Sequence, residues 1–149
     1  MSLQDWEKRG WVTKHKTRPQ EIEELFQIAD RDLKDCQARG LSDDWQLNIA
    51  YNAALQSAKA ALATAGYRPS REAQHFRVIQ SLEFTLGLEI SEINKLDQFR
   101  KKRNISDYER AGLVSEGEVE EAVALAQRLR KQAEEWIRAN HPHLFSHKK

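Results

Sequence analysis

Hydrophobic residues recur along most of the chain at the spacing of an amphipathic α-helix, in which one apolar face repeats every 3.6 residues. This pattern predicts five helices, over residues 19–38, 43–65, 70–86, 91–103 and 116–139. No run of alternating apolar and polar positions between turn residues indicates a β-strand. The sequence therefore predicts an all-α fold, an up-and-down bundle of four or five helices.

Capping residues stand where the predicted helices begin. Ser115 and Glu118 have the spacing of a capping box for the last helix, and Thr17 and Gln20 resemble one for the first. Ser42 is the predicted N-cap of the second helix. Because such side chains satisfy the free N–H groups of a first turn, they indicate where each helix starts.

The second predicted helix is the most apolar and is expected to lie at the centre of the bundle. Its alanines would allow neighbouring helices to approach closely. The inward positions predicted on one side are Trp45, Ile49, Ala53 and Ala60. In the first helix, Cys36 extends the apolar face and is expected to be a packing residue rather than a reactive thiol.

The predicted bundle comprises residues 17–140, between an N-terminal arm (1–16) and a flexible C-terminal tail (141–149). The arm, either a short helix or an extended segment, carries Trp6 and Trp11. Exposing two large aromatic side chains to water is unfavourable. We therefore expect the tryptophans to pack on the bundle or on a second subunit.

Composition narrows the classes of function. The 24 Lys and Arg residues against 23 Asp and Glu residues give a net charge of +1, so any site for a polyanion must be local. The single cysteine excludes an internal disulfide and a cysteine zinc cage. The most alanine-rich run, 58–65, is interrupted by Lys59 and Thr64, and the N-terminus has no apolar signal segment. We expect no membrane span and a cytoplasmic location.

The chemistry of the sequence is concentrated in residues 100–110. Four consecutive cations end the fourth predicted helix, and they are Arg100, Lys101, Lys102 and Arg103. A solvated helix C-terminus would account for them, because the helix dipole favours positive charge there. However, the next residues offer several kinds of hydrogen-bonding group, and they include Asn104, Ser106, Asp107 and Tyr108. Arg103 and Tyr108 could point into one cleft.

This Arg-Asn-x-x-x-Tyr run, between its own helix and a long capped helix, resembles the HEPN domain (higher eukaryotes and prokaryotes nucleotide-binding). Residues 50–55 and 65–69, followed by His75, are similar to the second and third helices of that family. The resemblance covers residues 19–140 and is strongest to small bacterial HEPN proteins encoded near minimal nucleotidyltransferases. It implies a HEPN-like bundle, a homodimer, and a place in a toxin–antitoxin or defence-type system.

Active HEPN proteins are metal-independent ribonucleases that carry an arginine and, a few residues later, a histidine. The resemblance assigns Arg103 to the arginine, Asn104 to the polar residue after it and Tyr108 to the position of the histidine. A phenol with an ordinary pKa of about 10 is a poor base at neutral pH. The resemblance therefore implies a phosphate-facing cleft more strongly than it implies catalysis.

Three functions remain open at this point: a binding protein for RNA, a nucleotide or a partner nucleotidyltransferase; an endoribonuclease; and a structural bundle. The candidate catalytic residues are Arg103, Asn104 and Tyr108. The candidate phosphate-binding residues are Arg100, Lys101, Lys102, Arg103 and Asp107. His75 is expected to be structural rather than the replacement base. No cofactor is expected and no metal site, since His141, His143 and His147 lack acidic neighbours.

Overall fold

The computed structural model describes the backbone of residues 1–108 and 114–145, and the side chains of residues 1–103 and 114–145. Helices dominate this part of the chain: α1 (Leu3–Lys8), α2 (Pro19–Asp35), α3 (Asp43–Thr64), α4 (Gln74–Gln80), α5 (Leu82–Thr85), α6 (Ile90–Tyr108) and α7 (Glu116–Asn140). Two short strands, β1 (Val12–Lys14) and β2 (Tyr67–Pro69), form an antiparallel ribbon that the sequence pattern did not predict. The predicted all-α bundle is otherwise confirmed.

Helix α3 forms the centre of the bundle, as its composition predicted. It packs mainly against α2 and α7 and also contacts α4 and α6. From Ala50 to Thr64 almost every residue is buried, because small side chains let helices approach on several sides. The inward placement predicted for Trp45 is wrong, since 61% of this residue is exposed. It lies in the first turn of α3, before the buried part of the helix begins at Leu47.

Two of the three predicted helix caps are confirmed. The Oγ of Ser42 accepts from the Trp45 N–H at 3.2 Å, and Ser115 and Glu118 cap each other's backbone N–H groups. The box predicted for Thr17 and Gln20 is wrong. The α2 N-cap is Arg18, while the Thr17 hydroxyl donates to the Ala63 carbonyl of α3. Thr17 therefore ties the chain to α3 instead of capping α2.

The N-terminal segment packs on the bundle, which is one of the two arrangements predicted for its tryptophans. Trp6 of α1 is buried and contacts Trp11 and Phe84 edge-on, with ring centroids 5.8 and 5.1 Å apart. Strand β1 pairs with β2, which places Val12 opposite Pro69. This pairing brings the N-terminal segment to the loop that leads into α4.

The predicted third and fourth helices differ from the observed ones at their ends. Instead of one helix over 70–86, a turn with Ala73 at a φ of +52° leads into α4, and Ser81 separates α4 from α5. Helix α6 continues to Tyr108 rather than ending at Arg103. The four cations therefore lie within a helix, so the dipole at a helix end does not account for them.

The tail predicted to be flexible from residue 141 onward is ordered to residue 145. Pro142–Phe145 form a 3-10 turn in which Leu144 and Phe145 are buried beside α2 and α7. The Phe145 ring stacks on Phe26, with centroids 6.4 Å apart. Residues 146–149 lie outside the described part of the chain.

Cys36 is fully buried, and its thiol donates to the Leu33 carbonyl. No helix in the described ranges is long and apolar enough to cross a membrane.

Candidate functional site

The four cations of α6 differ in their partners. Arg100 and Lys101 both reach Asp97, with N–O distances of 2.8 and 3.3 Å. Lys102 reaches Glu118 on α7 at 2.6 Å. Among the residues whose side chains are described, Arg103 forms no ion pair with a carboxylate. Within that part of the chain, Arg103 is therefore the cation of this cluster that no carboxylate neutralises.

Arg103 borders a cleft between α2, α3 and α6. The cleft has a volume of about 570 Å³, and its lining includes Asp32 and Asn52 as well as the exposed Trp45. The Cζ atom of Arg103 lies 5.7 Å from the centroid of the Tyr51 ring on α3. A guanidinium beside an aromatic face is attracted by the ring quadrupole. Tyr51 therefore helps to hold the Arg103 side chain at the edge of the cleft.

Hydrogen bonds fix the polar wall of the cleft. The Asn52 Nδ2 donates to the buried Asp32 carboxylate at 2.6 Å, and Gln56 Nε2 donates to Asn52 Oδ1 at 3.1 Å. Arg31 also pairs with Asp32, at 3.1 Å. Because Arg31 already balances the Asp32 carboxylate, this acid does not cancel the charge of Arg103.

The phenol of Tyr51 is a buried group beside this arginine. Its hydroxyl is shielded from solvent and has no hydrogen-bond partner among the described residues. Burial raises the pKa of Tyr51, and the positive charges of Arg100 and Arg103 offset only part of that effect. The phenol is therefore neutral at physiological pH, and its hydroxyl keeps an unused donor.

His75 on α4 also lies beside Tyr51, with ring centroids 6.3 Å apart. Burial lowers the pKa of His75, and the positive charges of Lys59 and Arg103 lower it further. The imidazole is therefore neutral at pH 7 and can accept a proton. His75 and Tyr51 belong to the neighbourhood of Arg103. From the sequence, His75 was expected to be structural and Tyr51 was not among the candidates, because no local spacing links these residues to Arg103.

The structure brings some of the predicted site residues together and separates others. Arg100 and Arg103 both act on Tyr51, whereas the Lys101 side chain is 66% exposed and Lys102 turns toward Glu118. The remaining predicted residues are Asn104, Asp107 and Tyr108, whose side chains lie outside the described part of the chain. The convergence of Arg103 and Tyr108 in one cleft therefore stays a prediction. Within the described residues, no group of three His, Cys, Asp or Glu side chains could hold a metal ion.

Comparison with known proteins identifies the family. A search of curated proteins finds no match for this chain. The family model described as HEPN domain matches residues 22–136, which extend from α2 into α7. The matched segment is more than half of the chain and contains Tyr51, His75 and Arg103, while the N-terminal segment lies outside it. The chain belongs to the HEPN family.

Proposed function

We propose that this HEPN-family protein binds RNA or a nucleotide through a phosphate group, with Arg103 as the principal ligand. The observation that carries the proposal is that Arg103, unlike its three neighbours on α6, has no carboxylate partner among the described residues and borders a cleft. A guanidinium can donate two parallel hydrogen bonds to a phosphate. Such a group without a partner is suited to that contact.

Tyr51 supports the same assignment. Its buried hydroxyl lacks a partner, and a buried unsatisfied donor is unfavourable by about 1–3 kcal/mol. An oxygen acceptor entering beside Arg103 would relieve part of that penalty. The neutral hydroxyl adds no negative charge that would repel an anion.

The exposed Trp45 supports a further part of the proposal, a homodimer. It lies on the lining of the Arg103 cleft and is the most exposed tryptophan in the described chain. A second subunit covering Trp45 would enclose the cleft and strengthen a phosphate contact by excluding water. Light scattering at micromolar concentration should give twice the chain mass, and a monomer would contradict the dimer.

A partner nucleotidyltransferase and a toxin–antitoxin role belong to the same proposal, and co-purification from the source organism tests them.

The direct test compares Arg103→Gln with Lys101→Gln in the full-length protein. The probe is a fluorescein-labelled single-stranded RNA, followed by anisotropy. Hydrogen bonds to charged groups contribute about 1.5–3 kcal/mol, so Arg103→Gln should weaken binding at least about tenfold. Lys101→Gln also removes a positive charge from α6, but its side chain is exposed and paired with Asp97, so its effect should be much smaller. Equal affinity of Arg103→Gln and the unmodified protein would contradict the proposal.

A second candidate function, metal-independent endoribonuclease activity, is favoured by the position of His75. Attack of a ribose 2′-hydroxyl on the adjacent phosphate forms a cyclic phosphate and breaks the bond from phosphorus to the 5′-oxygen, which takes a proton from water and leaves as a 5′-hydroxyl. His75, or Tyr108 as the resemblance implies, would accept the 2′-hydroxyl proton, while Arg103 and Asn104 stabilise the phosphorane charge. Structured RNA incubated in EDTA tests this reaction. Cleavage by the unmodified protein but not by Arg103→Ala would support it, whereas intact RNA would leave the binding function.

A further inference from the structure

A second basic and aromatic surface lies where the N-terminal segment meets α4. The Cζ atom of Arg77 lies 3.7 Å from the Trp11 ring centroid, and that of Arg9 lies 5.1 Å from the same ring. These three residues border a cleft of about 500 Å³, together with Arg71 and Glu72. A nucleobase fits in a cleft of this size.

This surface extends toward the Arg103 site. The Phe76 ring has two guanidinium groups near it, since its centroid is 5.4 Å from the Cζ atom of Arg77 and 5.6 Å from that of Arg100. A neighbouring cleft of about 440 Å³ is bordered by Arg71, Phe76 and Arg100, and by His75. Both clefts share Arg71 and Ala73, so they adjoin along the turn before α4. Arginines and aromatic rings therefore alternate from Trp11 to the neighbourhood of Tyr51.

The charges on this surface are unbalanced. No carboxylate among the described side chains forms an ion pair with Arg9, Arg71 or Arg77. By contrast, Arg100 at the far end is paired with Asp97, and Glu72 is the acidic residue of the first cleft. Because the whole chain carries a net charge of only +1, three unpaired arginines in one place form a local field for a polyanion.

We propose that this surface is a second subsite for single-stranded nucleic acid, running from Arg100 past Phe76 and Arg71 to Trp11 and Arg77. The inference rests on the proposed phosphate contact at Arg103 and extends it from one nucleotide to several. Single strands are bound by cationic grooves in which successive bases stack on aromatic rings or on guanidinium planes. The Trp11–Arg77 pair provides such a platform, and the exposed Arg9 and Arg71 are available to backbone phosphates.

The N-terminal segment has a specific role in this arrangement. Arg9 and Trp11 lie outside the residues that match the HEPN family model, and the β1–β2 pairing holds them beside α4. The subsite therefore combines Arg9 and Trp11 from outside the matched segment with Arg71, Phe76 and Arg77 from within it.

The test uses probe length in the full-length protein. The unmodified protein should bind a labelled single-stranded RNA of about twelve nucleotides, within the usual range for single-strand grooves, more tightly than a labelled dinucleotide. Arg71→Gln should weaken binding of the long probe roughly three- to tenfold and lower its log–log salt slope by about 0.7. The dinucleotide, which reaches only the Arg103 site, should bind Arg71→Gln unchanged.

Arg39→Gln is the matched control, because Arg39 is also exposed and borders neither cleft. If Arg71→Gln and Arg39→Gln bind the long probe equally, or if the unmodified protein does not distinguish the two probes, the second subsite is wrong while the Arg103 contact stands. If Arg103→Gln binds both probes as well as the unmodified protein does, the proposed function fails instead. A duplex of the same length that binds as tightly as the single strand, or a poly-glutamate peptide that competes with equal strength, would overturn the assignment to a single strand.

Discussion

Arg103 on α6 and Arg130 on α7 are both partly buried, and each lies over an aromatic ring of another helix. The Cζ atom of Arg103 is 5.7 Å from the Tyr51 ring, and that of Arg130 is 4.0 Å from the Phe26 ring. Arg130 differs from Arg103 in that it has carboxylate partners. It pairs with Asp30 of α2 at 2.8 Å and with Glu134 of its own helix at 2.7 Å.

This difference separates a structural arginine from one that is available to a ligand. Arg130 has its hydrogen-bonding groups engaged by two acids and joins α7 to α2. Arg103 has only the tyrosine ring as a partner among the described residues. Each arginine lies over an aromatic ring, Tyr51 for Arg103 and Phe26 for Arg130, so a carboxylate partner among the described residues is what distinguishes the two. Four substitutions sharpen this comparison.

The largest effect is expected from Tyr108→His, five residues after Arg103 in the sequence. A histidine with an ordinary pKa near 6.5 accepts a proton at neutral pH, whereas a phenol with a pKa near 10 does not. A positioned base contributes roughly 10²–10⁴-fold, so RNA cleavage in EDTA should appear or rise by that order in a gel assay. The double variant Tyr108→His with Arg103→Gln should lose the gain. If a folded Tyr108→His protein shows no gain in RNA cleavage, the site lacks other groups that the reaction needs.

Arg130→Gln is expected to lower the free energy of unfolding by about 1–2 kcal/mol, because the partly exposed Asp30 and Glu134 lose their shared cation. Urea denaturation followed by circular dichroism measures this loss. The same substitution at Arg103 removes no ion pair to a described residue and should change the value by less than about 0.5 kcal/mol. Equal losses for the two variants would remove the distinction between the two arginines.

Tyr51→Phe is expected to raise the free energy of unfolding by up to about 1 kcal/mol, because it removes a buried hydroxyl that lacks a partner. The same variant should bind single-stranded RNA a few-fold more weakly. Tyr67→Phe, at another buried tyrosine, is the control for the loss of a phenol hydroxyl. A clear destabilisation by Tyr51→Phe would show that the hydroxyl has a partner and would weaken its assignment to the ligand site.

The smallest effect concerns pH. Burial and nearby cations lower the pKa of His75 in the folded protein, so the unfolded chain binds its proton more readily. This part of the stability is complete above the unfolded pKa of about 6.5 and is lost as the pH falls below it. The decline in unfolding free energy from pH 7 to pH 5 should be smaller in His75→Gln than in the unmodified protein. Identical declines would mean that His75 is freely solvated.

The fold was predictable wherever neighbouring residues decide the structure. Ser42 begins α3 and Ser115 begins α7, because an N-cap acts on N–H groups a few residues away. Thr17 shows where such reasoning fails. Its hydroxyl finds an acceptor at Ala63, which is far along the chain, and this tertiary contact replaces the predicted cap.

The candidate site was predictable in part. The resemblance identified Arg103, and the structure places it at a cleft with Asn52 and Asp32. Tyr51 and His75 were not predicted as site residues, because they come close to Arg103 only when α3, α4 and α6 pack together.

The sequence by itself determined the helices, most of their starts and the central place of α3, because periodicity and capping are short-range properties. Only the tertiary structure decided which cations are neutralised. Arg130 meets Asp30 and Lys102 meets Glu118 across helix interfaces, and nothing in the local sequence marks Arg103 as the cation of its cluster without an acid partner among the described side chains. Ion pairs act over a few ångströms in space, whatever the separation along the chain, so a charge acquires its role only when the helices have packed.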